Sequence, residues 1–362
     1  MGPVSTPTPS LSWFVGGVTA LLLTTACTPA DAPSEASADP PGSLGQEREV
    51  QFTVGQDELH GTFTLPGPEA EAVPGALVIS GSGPTDRDGN SDLRPDADTN
   101  LNFARLLADS GVATLRYDKI GSGETGIGDR DPEEPVEPEA FDQQAAAAYE
   151  FLVDQPEVDP ERTLVLGHSE GALYALRMHE LVPGSSPDVV LAAPPGERYL
   201  DIVDRQLTEQ VRTAEATGNL DVIEARTLLS DARAARAALR ADRAMPEELA
   251  PSLAGLYGPS NRETLAFLDE LVPAELAADL PGATHSLVLW GEQDAQISRE
   301  EIDGLMTGFD DGGGSVERVD LPGTDHVFRE QDGDSTRPAV DEERPFSPDV
   351  APALESFLDR VW

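Results

Sequence analysis

Cysteine, lysine and positive charge are all scarce in this sequence. Its one cysteine, Cys27, rules out a disulfide within the chain, and its one lysine, Lys119, leaves arginine to supply every other basic side chain. A high-GC coding sequence accounts for that usage as readily as adaptation to salt. Lysine and arginine number 24 against 67 aspartates and glutamates, a formal net charge of −43. Long-range attraction to nucleic acid or to an anionic membrane surface is therefore not expected, and the acidity serves solubility. Paired histidines or cysteines at metal-ligand spacing are missing too, so neither a metal nor a cofactor is expected. No internal repeat is evident, and the one long apolar run, residues 11–26, is too short for a comfortable membrane span.

That run has instead the length and texture of a signal-peptide core, which makes residues 1–26 a signal peptide. It ends at Thr24-Thr25-Ala26-Cys27, and the position of Cys27 resembles the lipobox of bacterial lipoproteins. The resemblance implies cleavage before Cys27, a lipid on it, and attachment of an exported domain to a membrane through that anchor alone. Thr24 stands where an aliphatic residue is usual and no Lys or Arg precedes the run, so an ordinary secretory signal with an incidental cysteine is the alternative. Both readings imply export. Residues 27–46 then turn to Pro, Ala, Ser, Asp and Glu without periodicity, the composition of a disordered tether.

From residue 47 to residue 362 the patterning is that of one α/β domain. Val50, Phe52 and Val54 alternate with polar residues, as do Leu59, Gly61, Phe63 and Leu65 beyond a turn at 55–58, which predicts an antiparallel hairpin. Buried strands are predicted at 75–80, 112–117, 163–166 and 188–193, and a helix follows each of the first three. This alternation gives a mostly parallel sheet covered on both faces. Residues 197–283 differ in texture, being rich in Arg, Ala, Glu and Leu, with helical spacing at Leu228, Ala232, Ala235 and Leu239 and no credible strand. They are read as a helical cap inserted over the site, with a helical subdomain out of reach of substrate as the alternative. Strands at 285–290 and 316–321 resume the sheet, and helices at 298–309 and 348–361 complete the chain.

The chemistry centres on Gly167-His168-Ser169-Glu170-Gly171, between the apolar strand 163–166 and a helix carrying Leu173, Leu176 and Leu181. A Gly-x-Ser-x-Gly turn between strand and helix lifts a serine hydroxyl above the sheet edge on a strained backbone. A serine hydroxyl needs a base to take its proton and an acid to orient that base. Of the five histidines, His60 lies in the hairpin, His168 is expected to point away from the serine, His179 is on the following helix and His285 begins a strand at the wrong edge. His326, after the last strand, is left as the base. The acid is expected in Trp290-Gly291-Glu292-Gln293-Asp294, with Asp294 preferred for lying further along the loop and Glu292 as the fallback. A developing oxyanion needs two N–H donors. One is the backbone N–H of Glu170; the other comes from the glycine-rich loop after Ser80, from Ser82 or next from Gly83. That loop lacks the ending of a phosphate-binding P-loop and the G-x-G-x-x-G spacing of a dinucleotide site.

Ser80-Gly81-Ser82-Gly83-Pro84 with Arg87-Asp88-Gly89, Leu115-Arg116-Tyr117-Asp118-Lys119 with Gly121 and Gly123, and Gly167-His168-Ser169-Glu170-Gly171 together resemble a branch of the α/β-hydrolase esterases. The segments 290–294 and Gly323-x-Asp325-His326 match that family's acid and base segments. The likeness runs from about residue 50 to the C-terminus and is weakest in the helical insertion. It implies an α/β-hydrolase fold, a mostly parallel central sheet with helices on both faces and a helical cap insertion. It also implies cleavage of carboxylic esters, mostly of short acyl type, by a Ser-His-Asp triad through an acyl-enzyme, with a small-molecule ester as partner. Related branches are serine aminopeptidases and acyl thioesterases, which the triad alone does not separate. A tethered binding protein that keeps the fold without activity is the reading from another class, and the intact Ser169, Asp294 and His326 weigh against it. Ile120, where the branch often has Arg, and Ala172, where Gly is usual, bear on substrate detail.

Overall fold

The computed structural model describes residues 45–67, 72–131, 135–331, 341 and 344–362. The expected signal segment, Cys27 and nearly all of the expected tether lie outside these residues. Among the described residues no helix is long and apolar enough to cross a membrane.

The chain opens with β1 (Gln46–Val54) and β2 (Asp57–Leu65), paired antiparallel across a tight turn. Gly55 takes the left-handed conformation there with φ of 61°, which glycine adopts without a Cβ penalty. β3 (Val73–Ile79), α1 (Thr99–Asp109), β4 (Ala113–Tyr117), α2 (Pro138–Val153), β5 (Val158–His168), α3 (Gly171–Leu181) and β6 (Asp188–Ala192) follow in alternation. Four helices come next, α4 (Tyr199–Ala216), α5 (Val222–Arg240), α6 (Arg262–Glu270) and α7 (Pro273–Ala278). The body closes with β7 (His285–Gly291), α8 (Arg299–Gly312), β8 (Ser315–Leu321) and α9 (Val350–Val361). One eight-stranded sheet runs β1-β2-β4-β3-β5-β6-β7-β8, antiparallel where β2 meets β1 and β4 and parallel from β4 to β8.

Successive side chains of a strand face opposite sides, and the two cores divide accordingly. Leu77, Ile79 and Val165 pack with α2, α3 and α8, whereas Ala76, Val78, Leu164 and Leu166 pack with α1 and α9. A strand buried on both faces reads as a continuous apolar run, which is why Leu164 to Leu166 is legible as a central strand. α4 to α6 bring their own core, in which Leu200, Leu207, Leu228, Ala232 and Leu265 meet. α7 departs from its neighbours in the insertion: its Ala277 belongs to the main core. It lies so close to α8 that a Cβ on Gly308 would fall 2.0 Å from the Ala274 carbonyl oxygen and one on Gly312 2.5 Å from that of Ala278. The helical segment with a core of its own is therefore the part before residue 272.

Candidate active site

The loops after β3, β4, β5, β7 and β8 all leave the carboxyl edge of the parallel strands, where open α/β sheets bind their ligands. Ser169 sits at the end of β5 with φ of 53°, a left-handed conformation that costs a non-glycine residue about 1 to 2 kcal/mol. Its N–H donates to Ala192 O at 2.9 Å, and its carbonyl accepts from Ala172 N–H at 2.9 Å as α3 begins. Only glycine fits on either side. A Cβ on Gly167 would lie 2.2 Å from the Gly171 carbonyl oxygen, and one on Gly171 would lie 2.3 Å from that of Ile79.

The loops after β7 and β8 bring Asp294 and His326 together, with Asp294 Oδ2 2.8 Å from His326 Nδ1. A carboxylate only accepts, so Nδ1 carries the proton and Nε2 keeps a free lone pair. The second oxygen of Asp294 accepts from the N–H groups of Gln296 at 2.7 Å and Ile297 at 2.9 Å, so the fully buried carboxylate is fixed at both ends. Glu292, the other candidate acid, pairs with Arg299 at 3.0 Å and is part-exposed. No hydrogen bond joins Ser169 Oγ to His326 among the described residues.

His168 faces the His326 loop. Its Nε2 lies 2.9 Å from the His326 carbonyl oxygen, and the two ring centroids are 5.0 Å apart. Because that carbonyl accepts, Nε2 is the protonated nitrogen of a neutral ring. Burial, reinforced by the neighbouring His326 ring, pushes the His168 pKa down to about 3. The contact joins residues 158 apart in sequence, so no local pattern announces it. Asp325 holds the same loop from the other side, its Oδ1 accepting from Val327 N–H at 3.1 Å and Arg329 N–H at 2.9 Å.

Across Ser169 lies the glycine-rich loop. A Cβ on Gly81 would meet Ser169 Cβ at 3.2 Å, so the loop presses against the elbow. Among the described residues, the N–H groups of Ser82 and Glu170 donate to no protein acceptor. Lys119 Nζ donates to the Gly81 carbonyl oxygen. In a trans peptide the C=O and the following N–H point in opposite directions, so this bond turns the Ser82 N–H away from Lys119. The remaining motif residues form a brace. Asp118 accepts from Arg87 N–H at 2.6 Å, Arg87 Nε at 3.0 Å and Glu124 N–H at 2.9 Å. A Cβ on Gly123 would lie 2.2 Å from the Asp118 carboxyl carbon, so that glycine makes room for the carboxylate.

Beside the two free donors opens a cavity whose walls include Gly83, Pro84, Lys119 and Glu170, with Thr264 and Leu268 contributed by α6. Burial pushes the Glu170 carboxyl up and the Lys119 ammonium down, and each group's charge partly offsets the shift of the other.

A model of the alpha/beta hydrolase family matches residues 76–338, and the chain belongs to that family. Its fold is the α/β-hydrolase fold. No curated protein is similar to the chain by sequence. Among solved structures, the esterase Pf2001 of Pyrococcus furiosus is similar with a TM-score of 0.53 at 15% identity, over 90% of this chain and 97% of that one. DcsB in complex with its substrate analogue is similar with a TM-score of 0.53 at 15% identity, over 88% and 99% of the two chains. Est1E of Butyrivibrio proteoclasticus with bound ferulic acid gives 0.51 at 16% identity, over 86% and 98%. Identities this low speak for the fold alone.

Proposed function

We propose that this alpha/beta hydrolase is a serine esterase that cleaves carboxylic esters of short acyl chain through an acyl-enzyme. His326 Nε2 takes the proton of Ser169 Oγ as the oxygen attacks the ester carbonyl, and Asp294 stabilises the imidazolium that results. The oxyanion settles on the N–H groups of Ser82 and Glu170, which donate to no protein acceptor among the described residues. Collapse expels the alcohol with the proton returned by His326. A water, deprotonated by His326 in turn, then releases the acid and restores Ser169. The observation that carries this reading is the 2.8 Å contact of His326 with Asp294, which leaves a basic nitrogen on the loop docked against the residue before the serine.

The helical segment of residues 199–271 acts as a cap in this scheme. Thr264 and Leu268 of α6 support that role because they wall the cavity beside Glu170. Cys27 carries a lipid that tethers the exported domain, and Cys27→Ser is expected to release it from membranes; unchanged partitioning would count against the anchor. The reaction is tested with p-nitrophenyl acetate and butyrate beside aminoacyl-anilides, using Ser169→Ala as control. Ester turnover that disappears in the variant supports the reading. Faster cleavage of anilides would make the protein a peptidase with the same machinery, and turnover surviving Ser169→Ala would remove Ser169 from the mechanism.

A further inference from the structure

We propose that the Glu170 side chain is the polar end of an acyl subsite and that the preferred substrates are esters of short hydroxyacyl groups. The proposal rests on the esterase reading and narrows its substrate. Glu170 is only 9% exposed, lines the cavity, and its Oε2 has no hydrogen-bond partner. An unpaired buried carboxyl oxygen carries a desolvation cost, and a ligand donor placed in the cavity recovers it. Lys119 lines the same cavity yet forms no ion pair with Glu170 within 4.0 Å among the described residues, its Nζ being committed to Gly81. The other walls are largely apolar, with Ile120, Val136, Phe141 and Leu268 among them. An aliphatic chain ending in one hydrogen-bonding group matches that lining.

The esterase reading and the cavity together indicate which part of the substrate enters and what the polar group is. Gly83 and Glu170, which wall the cavity, belong to the two segments that offer the proposed oxyanion donors, so the cavity adjoins the place where the ester carbonyl is held. The acyl group is the part that stays bound through both chemical steps. A cavity of about 80 Å³ has room for roughly three waters at about 30 Å³ each, and so for a short acyl chain of about three or four heavy atoms beyond its carbonyl. A hydroxyl both donates and accepts, so it suits Glu170 whether the carboxyl is ionised or, as burial favours, protonated. A substrate ammonium suits only the ionised form and would share the cavity with the Lys119 charge.

The test compares kcat/KM of the full-length protein for p-nitrophenyl β-hydroxybutyrate, its isostere p-nitrophenyl isovalerate, and p-nitrophenyl β-aminobutyrate. The wild type is expected to favour the hydroxy ester over isovalerate by about 10-fold or more, the scale of a hydrogen bond to a buried carboxyl. Glu170→Leu should bring that ratio to 1 or below, and Glu170→Gln, which still accepts, should lower it less. Both esters use the same backbone donors, so the ratio cancels any disturbance of the oxyanion site. A wild-type ratio near 1 overturns the proposal without any variant, as does a ratio that Glu170→Leu leaves unchanged. Preference for the amino ester overturns the choice of hydroxyl. Absence of turnover for all three esters, with no fluorophosphonate on Ser169, overturns the esterase reading and this proposal together. Turnover of isovalerate at the rate of the hydroxy ester overturns this proposal alone.

Discussion

The two flanks of Ser169 are built on different terms. On the His326 side Asp294 accepts three hydrogen bonds with its two oxygens, His168 and Asp325 hold the His326 loop from either side, and the remaining Asp325 oxygen pairs with Arg344 at 2.8 Å. On the Lys119 side the loop is braced with equal care by Arg87 and Asp118, yet Glu170 Oε2 and two backbone N–H groups are left without partners. A satisfied buried network is rigid, and an unsatisfied one carries a desolvation cost that a ligand can relieve. The first flank suits the steps common to every substrate, and the second suits selection among substrates.

The largest effect that tests this contrast is expected from Asp294→Asn, which supplies the wrong donor to Nδ1 and should lower kcat about 10⁴-fold. Lys119→Met should release the Gly81 carbonyl and let the Ser82 N–H drift. Loss of one oxyanion donor lowers kcat by about 10²-fold or more, with KM moving less than about 3-fold. A matching rise in KM with kcat kept would place Lys119 in ground-state binding instead. A melting curve separates either result from misfolding.

His168 tests how much stability the first flank contributes. Its pKa is about 3 in the fold against an ordinary 6.5, so the native ring stays neutral while the unfolded chain takes up a proton below pH 6.5. The stability tied to the neutral ring is complete above pH 6.5 and is lost as pH falls toward 3, by about 1.4 kcal/mol per pH unit. Urea melts of wild type and His168→Phe across that window should differ in slope by about this amount. Identical slopes would mean that the ring is not buried neutral. The smallest effect is expected from Glu292→Gln, since a part-exposed ion pair contributes about 1 kcal/mol at most. Its kcat/KM should stay within about 2-fold of wild type, and a loss comparable to Asp294→Asn would exchange the roles of the two carboxylates.

What the sequence disclosed and what it hid divide along the same line. The hairpin, the central strands and the Gly-x-Ser-x-Gly turn are local patterns, set by period-2 burial and by glycines with no room for a Cβ. The order of Ser169, Asp294 and His326 is legible because each follows a strand in the sheet. The choice between Glu292 and Asp294 depends on where a short loop turns; the structure brings Asp294 to His326 and pairs Glu292 with Arg299. His168 on the His326 carbonyl and Lys119 on Gly81 join segments far apart in the chain. Arg87, Asp118 and Gly123 stand out as a motif, but only the fold gives them a task, bracing the loop. α7 reads as part of the insertion from its composition, and its packing on Gly308 and Gly312 places it in the body.

The central claim is that Ser169 is a nucleophile activated by His326. Its most direct measurement is mass spectrometry of the protein after exposure to a fluorophosphonate. One adduct on the peptide containing Ser169, lost in His326→Ala although that variant melts like the wild type, is the result predicted here. An adduct on a different residue, or undiminished labelling of Ser169 in His326→Ala, would contradict it.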